Sequence, residues 1–214
     1  MHSVDLLIFD LDGTLIDSKE DIATAVNLTL ADIGLPPKTM ETIAKFIGGG
    51  VRGLLKQALN SDTHPPLDEV LPIFRKHYLN HLLDRTTLYP GVRETLEYFR
   101  NKHLAVVTNK PIDYTTPILN GLGITDYFRV ILGGDSTPNP KPHPEMILKT
   151  MEALGSGKKE TVMIGDGIND ILAARAAEIP CCAVTYGLTE RTLLLREQPD
   201  FLCDSPGGIR DLFG

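Results

Sequence analysis

Short runs of apolar residues separated by helix-like segments are the feature that most constrains the fold. The runs are Val4–Phe9, Leu104–Thr108, Val130–Gly133, Thr161–Ile164, Cys181–Thr185 and a weaker one at Phe201–Cys203. Their polarity does not alternate, which is typical of strands buried on both faces of a parallel sheet. Because such strands alternate here with helical patterns, the sequence predicts a doubly wound α/β domain with a parallel sheet.

Helical periodicity fills the segments between these runs. In Glu145–Leu154, the apolar residues recur at helical spacing until Gly155 ends the pattern. Ile168–Ile179 repeats this spacing. Both segments are predicted to be helices that cover the sheet.

One long segment, from about Asp17 to Arg85, contains helical periodicity and no convincing strand. Ser18 followed by Asp21 resembles a capping box at the start of its first helix. We therefore expect four short helices inserted after the first strand as a helical cap domain at 17–85. The core domain would comprise 1–16 and 86–214, and Thr86–Gly91 would be the return linker.

Charge and hydropathy exclude several classes of protein. The 214 residues carry a net charge of −7 and contain no basic run, whereas a nucleic-acid binder would usually cluster Lys and Arg. No apolar run approaches the ~20 residues that span a bilayer, and Val4–Phe9 is too short for a signal peptide. We expect a cytoplasmic protein, monomer or homodimer, that binds neither nucleic acid nor membrane.

Two carboxylates follow the first predicted strand, in Phe9-Asp10-Leu11-Asp12-Gly13-Thr14. Residues two apart in a strand point to the same side, so Asp10 and Asp12 would present their carboxylates together. Open α/β sheets bind ligands at this carboxyl end of the strands. Adjacent carboxylates repel unless a cation relieves them, and Mg²⁺ prefers oxygen ligands. The alternative is that Asp12-Gly13 is only a turn.

Two further polar residues are candidates for the site, one at the end of a later strand and one in a loop. Thr108 ends the second strand, where its hydroxyl can donate to a phosphate oxygen, although threonines end many strands without a function. Lys141 lies between prolines, which fix the backbone that carries it. As an isolated feature, Lys141 would be interpreted as a solvated surface lysine in a proline-rich loop.

A second acidic pair lies in Gly165-Asp166-Gly167-Ile168-Asn169-Asp170, after the fourth strand. Asp166 would reach the same sheet edge as Asp10, and Asp170 lies one helical turn later. The alternative role for Asp166 is a helix N-cap. A third carboxylate at the edge of the sheet adds what a magnesium site needs.

In this order, the four elements resemble the motifs of the haloacid dehalogenase (HAD) superfamily of phosphotransferases. The matching residues are Asp10-Leu11-Asp12-Gly13-Thr14, Thr108, Lys141 and Gly165-Asp166-Gly167-Ile168-Asn169-Asp170. The resemblance covers the whole chain, including the helical cap, and implies a Rossmann-like core. Within the superfamily, Asp10–Ser18, Ala105–Pro111 and Gly133–Ser136 look most like phosphoglycolate phosphatases.

The resemblance implies a reaction on a small phosphorylated metabolite. Asp10 would be the nucleophile that forms an aspartyl-phosphate, and Asp12 would be the general acid and base. Thr108 and Lys141 would be catalytic residues that stabilise the phosphoryl oxygens. Thr108, Asn109 and Lys141 would also bind the substrate.

The resemblance also implies a set of metal ligands. Mg²⁺ would be held by the carboxylates of Asp10 and Asp166, assisted by the backbone carbonyl of Asp12. Asp170 would hold either Lys141 or a metal-bound water. Superfamily members often have a hydroxyl residue where this chain has Gly167, which would remove one supporting hydrogen bond.

The segment Gly48-Gly49-Gly50-Val51-Arg52-Gly53 satisfies the dinucleotide pattern G-x-G-x-x-G by letter. It follows a helical pattern rather than a strand, so we reject that interpretation. A glycine-rich loop between cap helices is expected instead. Arg52 in this loop would either bind a substrate carboxylate or be a solvated helix arginine.

Several functions share these motifs. Hydrolysis of 2-phosphoglycolate is the expectation, with a pyrophosphatase, a sugar-phosphate phosphatase or a phosphomutase as alternatives on the same scaffold. A haloacid dehalogenase proper does not need Asp12 as an acid and base, so this residue argues against it. A binding protein on an inactive fold would usually lack a catalytic group, and none is missing here.

Overall fold

A computed structural model describes residues 4–59 and 65–214. In chain order its strands are β1 Leu6–Phe9, β2 Ile16–Asp17, β3 Thr87–Leu88, β4 His103–Val107, β5 Val130–Leu132, β6 Thr161–Gly165, β7 Cys181–Val184 and β8 Phe201–Cys203. The helices are α1 Lys19–Asp32, α2 Met40–Ala44, α3 Gly50–Leu59, α4 Leu67–Asn80, α5 Val92–Tyr98, α6 Ile112–Gly121, α7 Glu145–Leu154, α8 Ile168–Ala177, α9 Arg191–Arg196 and α10 Pro206–Phe213. Two short 3₁₀ helices lie at Thr125–Tyr127 and Lys158–Glu160.

Six strands of the described ranges form one parallel sheet in the order β5-β4-β1-β6-β7-β8. All residues of β1 are buried, and successive side chains contribute to different clusters on the two faces of the sheet. Both faces are therefore covered, which is why the strands read as uniformly apolar. The predicted α/β fold class is confirmed, and α7 has the predicted limits.

The described part of the insert contains the four helices α1 to α4, as predicted. Helix α1 buries Ile22, Val26 and Leu30 against the core cluster, and α4 buries Val70, Phe74 and Tyr78 in the same cluster. The inserted helical cap is thus confirmed as part of the fold class. The division into 1–16 with 86–214 and 17–85 stays a prediction.

A small antiparallel sheet joins the two ends of the insert and was not predicted. Ile16 pairs with Leu88 and Asp17 pairs with Thr87, so β3 lies within the segment expected to be a plain linker. Strands of two residues carry no detectable periodicity in a sequence. The pairing brings the entry and the exit of the insert together beside the end of β1.

The predicted capping box at the start of α1 is wrong. Ser18 is the N-cap, but its Oγ donates to Asp12 Oδ1 at 2.5 Å and makes no cap hydrogen bond. The Asp21 carboxylate instead accepts hydrogen bonds from the backbone N–H groups of Arg85 and Thr86 and from the Thr86 hydroxyl. Tertiary partners therefore replace the local pairing that the motif predicts. Across the two described ranges, no helix combines the length and the apolar character that crossing a bilayer requires.

Candidate active site

The register of the central strands brings three predicted residues to one edge of the sheet. Phe9 of β1 is aligned with Val106 of β4 and Ile164 of β6. The residues that follow these strands therefore emerge side by side, Asp10 after β1, Thr108 after β4 and Asp166 after β6. All three are buried. This is the carboxyl end of the strands, where the sequence placed the site.

A buried acidic cluster forms at this edge. Oxygen atoms of Asp10, Asp166 and Asp170 all lie within 4.8 Å of one another. Lys141 Nζ lies 2.9 Å from Asp10 Oδ1 and 2.5 Å from Asp170 Oδ1, and it donates to the Val107 carbonyl at 2.7 Å. One ammonium group thus lies against a cluster that carries up to three negative charges.

Burial and the neighbouring charges shift the pKa values of the groups in this cluster. Burial raises the pKa of Asp166 to about 8, and the neighbouring charges of Asp10 and Asp170 add to the rise. Burial, followed by the charge of Asp10, likewise raises the pKa of Asp170. For Lys141, burial alone would lower the pKa, but the carboxylates of Asp10 and Asp170 outweigh it and raise the pKa above its ordinary value. Ionised carboxylates therefore need more positive charge here than Lys141 supplies.

The cluster has the donor set of a metal site. Asp10 Oδ1 is buried and accepts no well-aligned hydrogen bond within the described structure, even though Lys141 Nζ is at ion-pair distance. Three carboxylates with an oxygen that lacks a hydrogen bond suit a hard divalent cation. The residues present therefore fit a bound metal ion.

Asp166 is held from two directions. Its Oδ1 accepts a hydrogen bond from Thr14 Oγ1 at 3.1 Å, and its Oδ2 accepts one from the Leu188 backbone N–H at 2.7 Å. Gly13 has a φ of +84°, and a Cβ there would lie 2.1 Å from Asp166 Oδ2. Glycine is thus required both for the backbone conformation and for the close approach of the carboxylate. The turn at Asp12-Gly13 therefore leaves the space that the Asp166 carboxylate occupies in the acidic cluster.

Asp12 is not one of the clustered carboxylates among the described residues, and it pairs with a cation that the sequence did not single out. Lys110 Nζ lies 2.8 Å from both carboxylate oxygens of Asp12, and both side chains are largely buried. Lys110 also lies over the Tyr78 ring of α4, 4.8 Å from its centroid. The sequence signal was available, because Lys110 follows Thr108 and Asn109 at the end of β4. Only the register of the sheet shows that it meets Asp12.

Thr108 and Asn109 line the site, and Asn109 joins it to the insert. Asn109 Nδ2 donates to the carbonyl of Gly48 and to the carbonyl of Lys141, both at 2.9 Å. Asn169 Nδ2 also donates to the Gly48 carbonyl, at 3.2 Å. Gly48, in the turn before α3, therefore faces the site. The rest of the segment expected to be a loop, from Gly50 to Gly53 with Arg52, is instead the first turn of α3.

Arg52 is not brought to the acidic cluster. It pairs with Asp68 at 2.7 Å, and both side chains are mostly exposed. It lines a neighbouring cavity of about 550 Å³ that shares Asn109 and Lys141 with the site but does not include Asp10 or Asp12.

Two cavities meet at Asp10 and Asp12. The larger, of about 380 Å³, is also lined by Lys141, Asp166 and Asp170. The smaller, of about 40 Å³, lies between the sheet edge and the insert and is lined by Thr108 and Asn109 among others. The arrangement presents a carboxylate flanked by an ammonium group, a second carboxylate beside it, and an acidic cluster that fits a cation. These groups suit transfer of an anionic group to Asp10.

Comparison with known proteins agrees with this site. Residues 7–184 match the family of haloacid dehalogenase-like hydrolases. The chain is 38% identical to phosphoglycolate phosphatase 1 of Pseudomonas aeruginosa, over 97% of this chain and 78% of that protein. It is 41% identical to a phosphoglycolate phosphatase of Colwellia psychrerythraea, over 87% of each chain. A crystal structure of a predicted phosphoglycolate phosphatase from Haemophilus somnus superposes with a TM-score of 0.92 at 34% identity, covering 98% of this chain and 97% of the other.

The fold and the site define a hydrolase with a doubly wound core and a helical cap. This chain belongs to the haloacid dehalogenase-like hydrolase family, as the resemblance of its four motifs indicated.

Proposed function

We propose that this protein is a magnesium-dependent phosphatase that hydrolyses 2-phosphoglycolate to glycolate and phosphate. The observation that carries the proposal is the position of Asp10, which lies 2.9 Å from Lys141 within the acidic cluster and lines the same cavity as Asp12. The names of the relatives from Pseudomonas aeruginosa and Colwellia psychrerythraea support the choice of substrate.

In the first step, a carboxylate oxygen of Asp10 attacks phosphorus and the ester P–O bond breaks. Asp12 gives its proton to the departing oxygen, so that the leaving group departs as a neutral alcohol rather than as an alkoxide. Lys141 and Thr108 stabilise the phosphoryl oxygens during the transfer, and Asn109 helps to bind the substrate. The product bound to the protein is an aspartyl-phosphate on Asp10.

In the second step, the Asp12 carboxylate accepts a proton from water, whose oxygen attacks phosphorus. The bond between Asp10 and phosphorus breaks, which releases phosphate and restores the carboxylate. The short hydrogen bond from Ser18 and the pairing with Lys110 hold the Asp12 side chain in place for both steps. Asp12 thus loses one proton in the first step and regains one in the second.

Asp10, Asp166 and Asp170 would hold Mg²⁺, with the backbone carbonyl of Asp12 as a further ligand. When bound, the ion would reduce the repulsion between the phosphate and Asp10 and orient both. Asp170, which contacts Lys141 at 2.5 Å, would in addition hold that ammonium group in position.

Three expectations from the sequence remain part of this proposal. The protein would act in the cytoplasm as a monomer or a homodimer, and residues 17–85 would act as a cap over the core. Arg52 would contribute to substrate binding only if its exposed pair with Asp68 rearranged. A pyrophosphatase or a sugar-phosphate phosphatase would use the same residues at the sheet edge.

The test is release of phosphate from 2-phosphoglycolate, pyrophosphate and a set of sugar phosphates, each with and without Mg²⁺. Asp10→Ala is assayed beside the parent protein. Magnesium-dependent turnover that favours phosphoglycolate and is lost in Asp10→Ala is the expected result. Preference for another ester with the same dependence would keep the chemistry and overturn the substrate.

A further inference from the structure

The smaller cavity beside Asp10 and Asp12 is shaped by both parts of the molecule. The sheet edge contributes polar side chains, and the insert contributes mostly apolar ones. Besides the two aspartates, its lining residues are Ile22, Ile47, Gly48, Gly50, Val51, Leu54, Phe74, Tyr78, Thr108, Asn109, Lys110 and Tyr114. A phosphoryl group on Asp10 would therefore have its leaving group directed either into this space or into the larger cavity.

The size of the smaller cavity limits what it can hold. Its volume is about 40 Å³, and a single water needs about 10–15 Å³ of such space. It therefore has room for a few water-sized groups, which suits a carboxymethyl group. A sugar ring is too large for this arrangement of the insert.

Lys110 supplies the positive charge of a cavity that Asp10 and Asp12 also line. It is the one cation among the described residues that line this space, and its side chain is only 4% exposed. Lysine carries three N–H donors, of which Asp12 takes two. No other oxygen or nitrogen acceptor in the described part of the chain bonds the ammonium group, which besides Asp12 contacts the face of the Tyr78 ring. A bound anion would take the third N–H donor in place of that ring contact.

Two further groups in the lining lack partners. The Tyr78 hydroxyl and Asn109 Oδ1 are both buried, and neither has a hydrogen-bond partner in the structure as described. Burial keeps the pKa of Tyr78 well above its ordinary value, so the hydroxyl stays neutral and able to donate. Buried polar groups are rarely left unpaired, which indicates that the cavity is built for a polar occupant.

The other candidate cations near the site do not line the smaller cavity. Arg52 and Arg75 line the neighbouring cavity of about 550 Å³, which shares Asn109 and Tyr114 with the smaller one but not Lys110. They pair with Asp68 and Asp113 in exposed contacts. Lys45 lines the larger cavity at Asp10 and is exposed. A buried ammonium group attracts a carboxylate more strongly than an exposed one does, because water screens it less.

We propose that Lys110 is the specificity-determining residue, binding the carboxylate of the leaving group in the smaller cavity while it positions Asp12. The substrates would then be phosphate esters of short hydroxy acids rather than of sugars or neutral alcohols. This inference rests on the proposed phosphatase activity. Neutral analogues would leave Lys110 without its second anion and are expected to be poorer substrates.

The test compares two substrates that differ only in the carboxylate, 2-phosphoglycolate and 2-hydroxyethyl phosphate. The ratio of their kcat/KM values is measured for the parent, Lys110→Met, Lys110→Arg and Lys45→Met, with Lys76→Met as an exposed-lysine control on α4. Because both substrates are assayed on one preparation, the ratio does not depend on the fraction of folded protein. Circular dichroism and the thermal midpoint check each fold.

We expect the parent to prefer phosphoglycolate by about 100-fold, as loss of a charged hydrogen bond implies, and Lys110→Met to reduce the preference to a few-fold. Lys110→Arg should keep most of the preference at a lower rate, and Lys45→Met and Lys76→Met should keep all of it. Equal losses on both substrates in Lys110→Met would show that Lys110 only positions Asp12 and would overturn this inference alone. Collapse of the ratio in Lys45→Met would also overturn it. A parent that releases no phosphate from phosphoglycolate would overturn the inference and the proposed substrate together.

Discussion

Lys141 Nζ lies 2.9 Å from Asp10 Oδ1, and the same nitrogen contacts Asp170 at 2.5 Å. The ammonium group is buried and is shared between the carboxylate that we propose attacks phosphorus and a second carboxylate, that of Asp170. This geometry explains how an acidic protein can accept an anionic substrate, since its positive charge is concentrated where the phosphoryl group would bind.

Lys141→Met is expected to lower kcat by about 10²–10³-fold, the cost of removing one charge-stabilising donor from a transition state. Steady-state phosphate release at saturating Mg²⁺ measures the effect. Lys149→Met is the matched control, because that lysine forms a half-exposed pair with Glu145 on α7 and should leave kcat unchanged. Equal rates for the two variants would show that Lys141 does not contribute to catalysis.

Asp12→Asn is expected to lower kcat by about 10²–10⁴-fold on an alkyl phosphate, because the leaving alcohol loses its proton donor. An aryl phosphate needs less protonation, so its first step should be spared while hydrolysis of the aspartyl-phosphate slows. Rapid mixing with an aryl phosphate should then show a burst of phenol of about one per active site. Asp84→Asn, which alters an exposed carboxylate paired with His81, should behave as the parent does. A uniform loss without a burst would contradict the two roles of Asp12.

Asp21→Asn is expected to destabilise the fold rather than to slow the chemistry. The buried Asp21 carboxylate accepts hydrogen bonds from Arg85 and Thr86 and so ties α1 to the strand that leaves the insert. An amide would turn a donor toward these N–H groups, at a cost of about 1–3 kcal/mol. At about 2–4 °C per kcal/mol for a chain of this size, the thermal midpoint should fall by several degrees. Glu20→Gln, in the same turn but exposed, should not move it.

Binding of Mg²⁺ is expected to stabilise the protein more at pH 8 than at pH 5. Asp166 keeps its proton in the folded chain up to about pH 8, because burial and the charges of Asp10 and Asp170 oppose ionisation, whereas its ordinary value is 3.8. Without metal, its contribution to stability is fully present below about pH 4 and is lost as the pH rises through 8. Mg²⁺ binds the ionised form, so its effect grows as the proton leaves.

Thermal midpoints of the metal-free protein and of the protein with Mg²⁺, measured between pH 5 and 8.5, check this dependence. Asp166→Asn should flatten both the pH dependence and the response to Mg²⁺. Lys141 is the cation that faces the cluster, and its raised pKa keeps it charged throughout this range. A magnesium shift that is independent of pH would contradict the placement of Asp166 among the ligands.

The sequence predicted the parts of the site that follow directly from strand ends. Asp10, Thr108 and Asp166 each come after a uniformly apolar strand, and parallel strands bring such residues to one edge. The pairing of Asp12 with Lys110 depends on the register between β1 and β4, and 98 residues separate the two side chains. Local patterns carry no information on such a contact.

The dependence on distant contacts also explains why the predicted capping box at the start of α1 is wrong. Ser18 and Asp21 have the spacing of a capping box, but Ser18 bonds Asp12 and Asp21 bonds Thr86, which lies 65 residues later. Tertiary contacts replaced a local motif because the insert has to begin and end at the same point of the core.

The central claim is that Asp10 accepts the phosphoryl group, and trapping the intermediate tests it most directly. The parent protein is mixed with excess 2-phosphoglycolate and Mg²⁺, quenched in acid within milliseconds, digested and examined by mass spectrometry. The account predicts one added phosphoryl group on the peptide that contains Asp10, and no such adduct and no turnover in Asp10→Asn. A phosphoryl group on another residue, or parent-like turnover by Asp10→Asn, would contradict it.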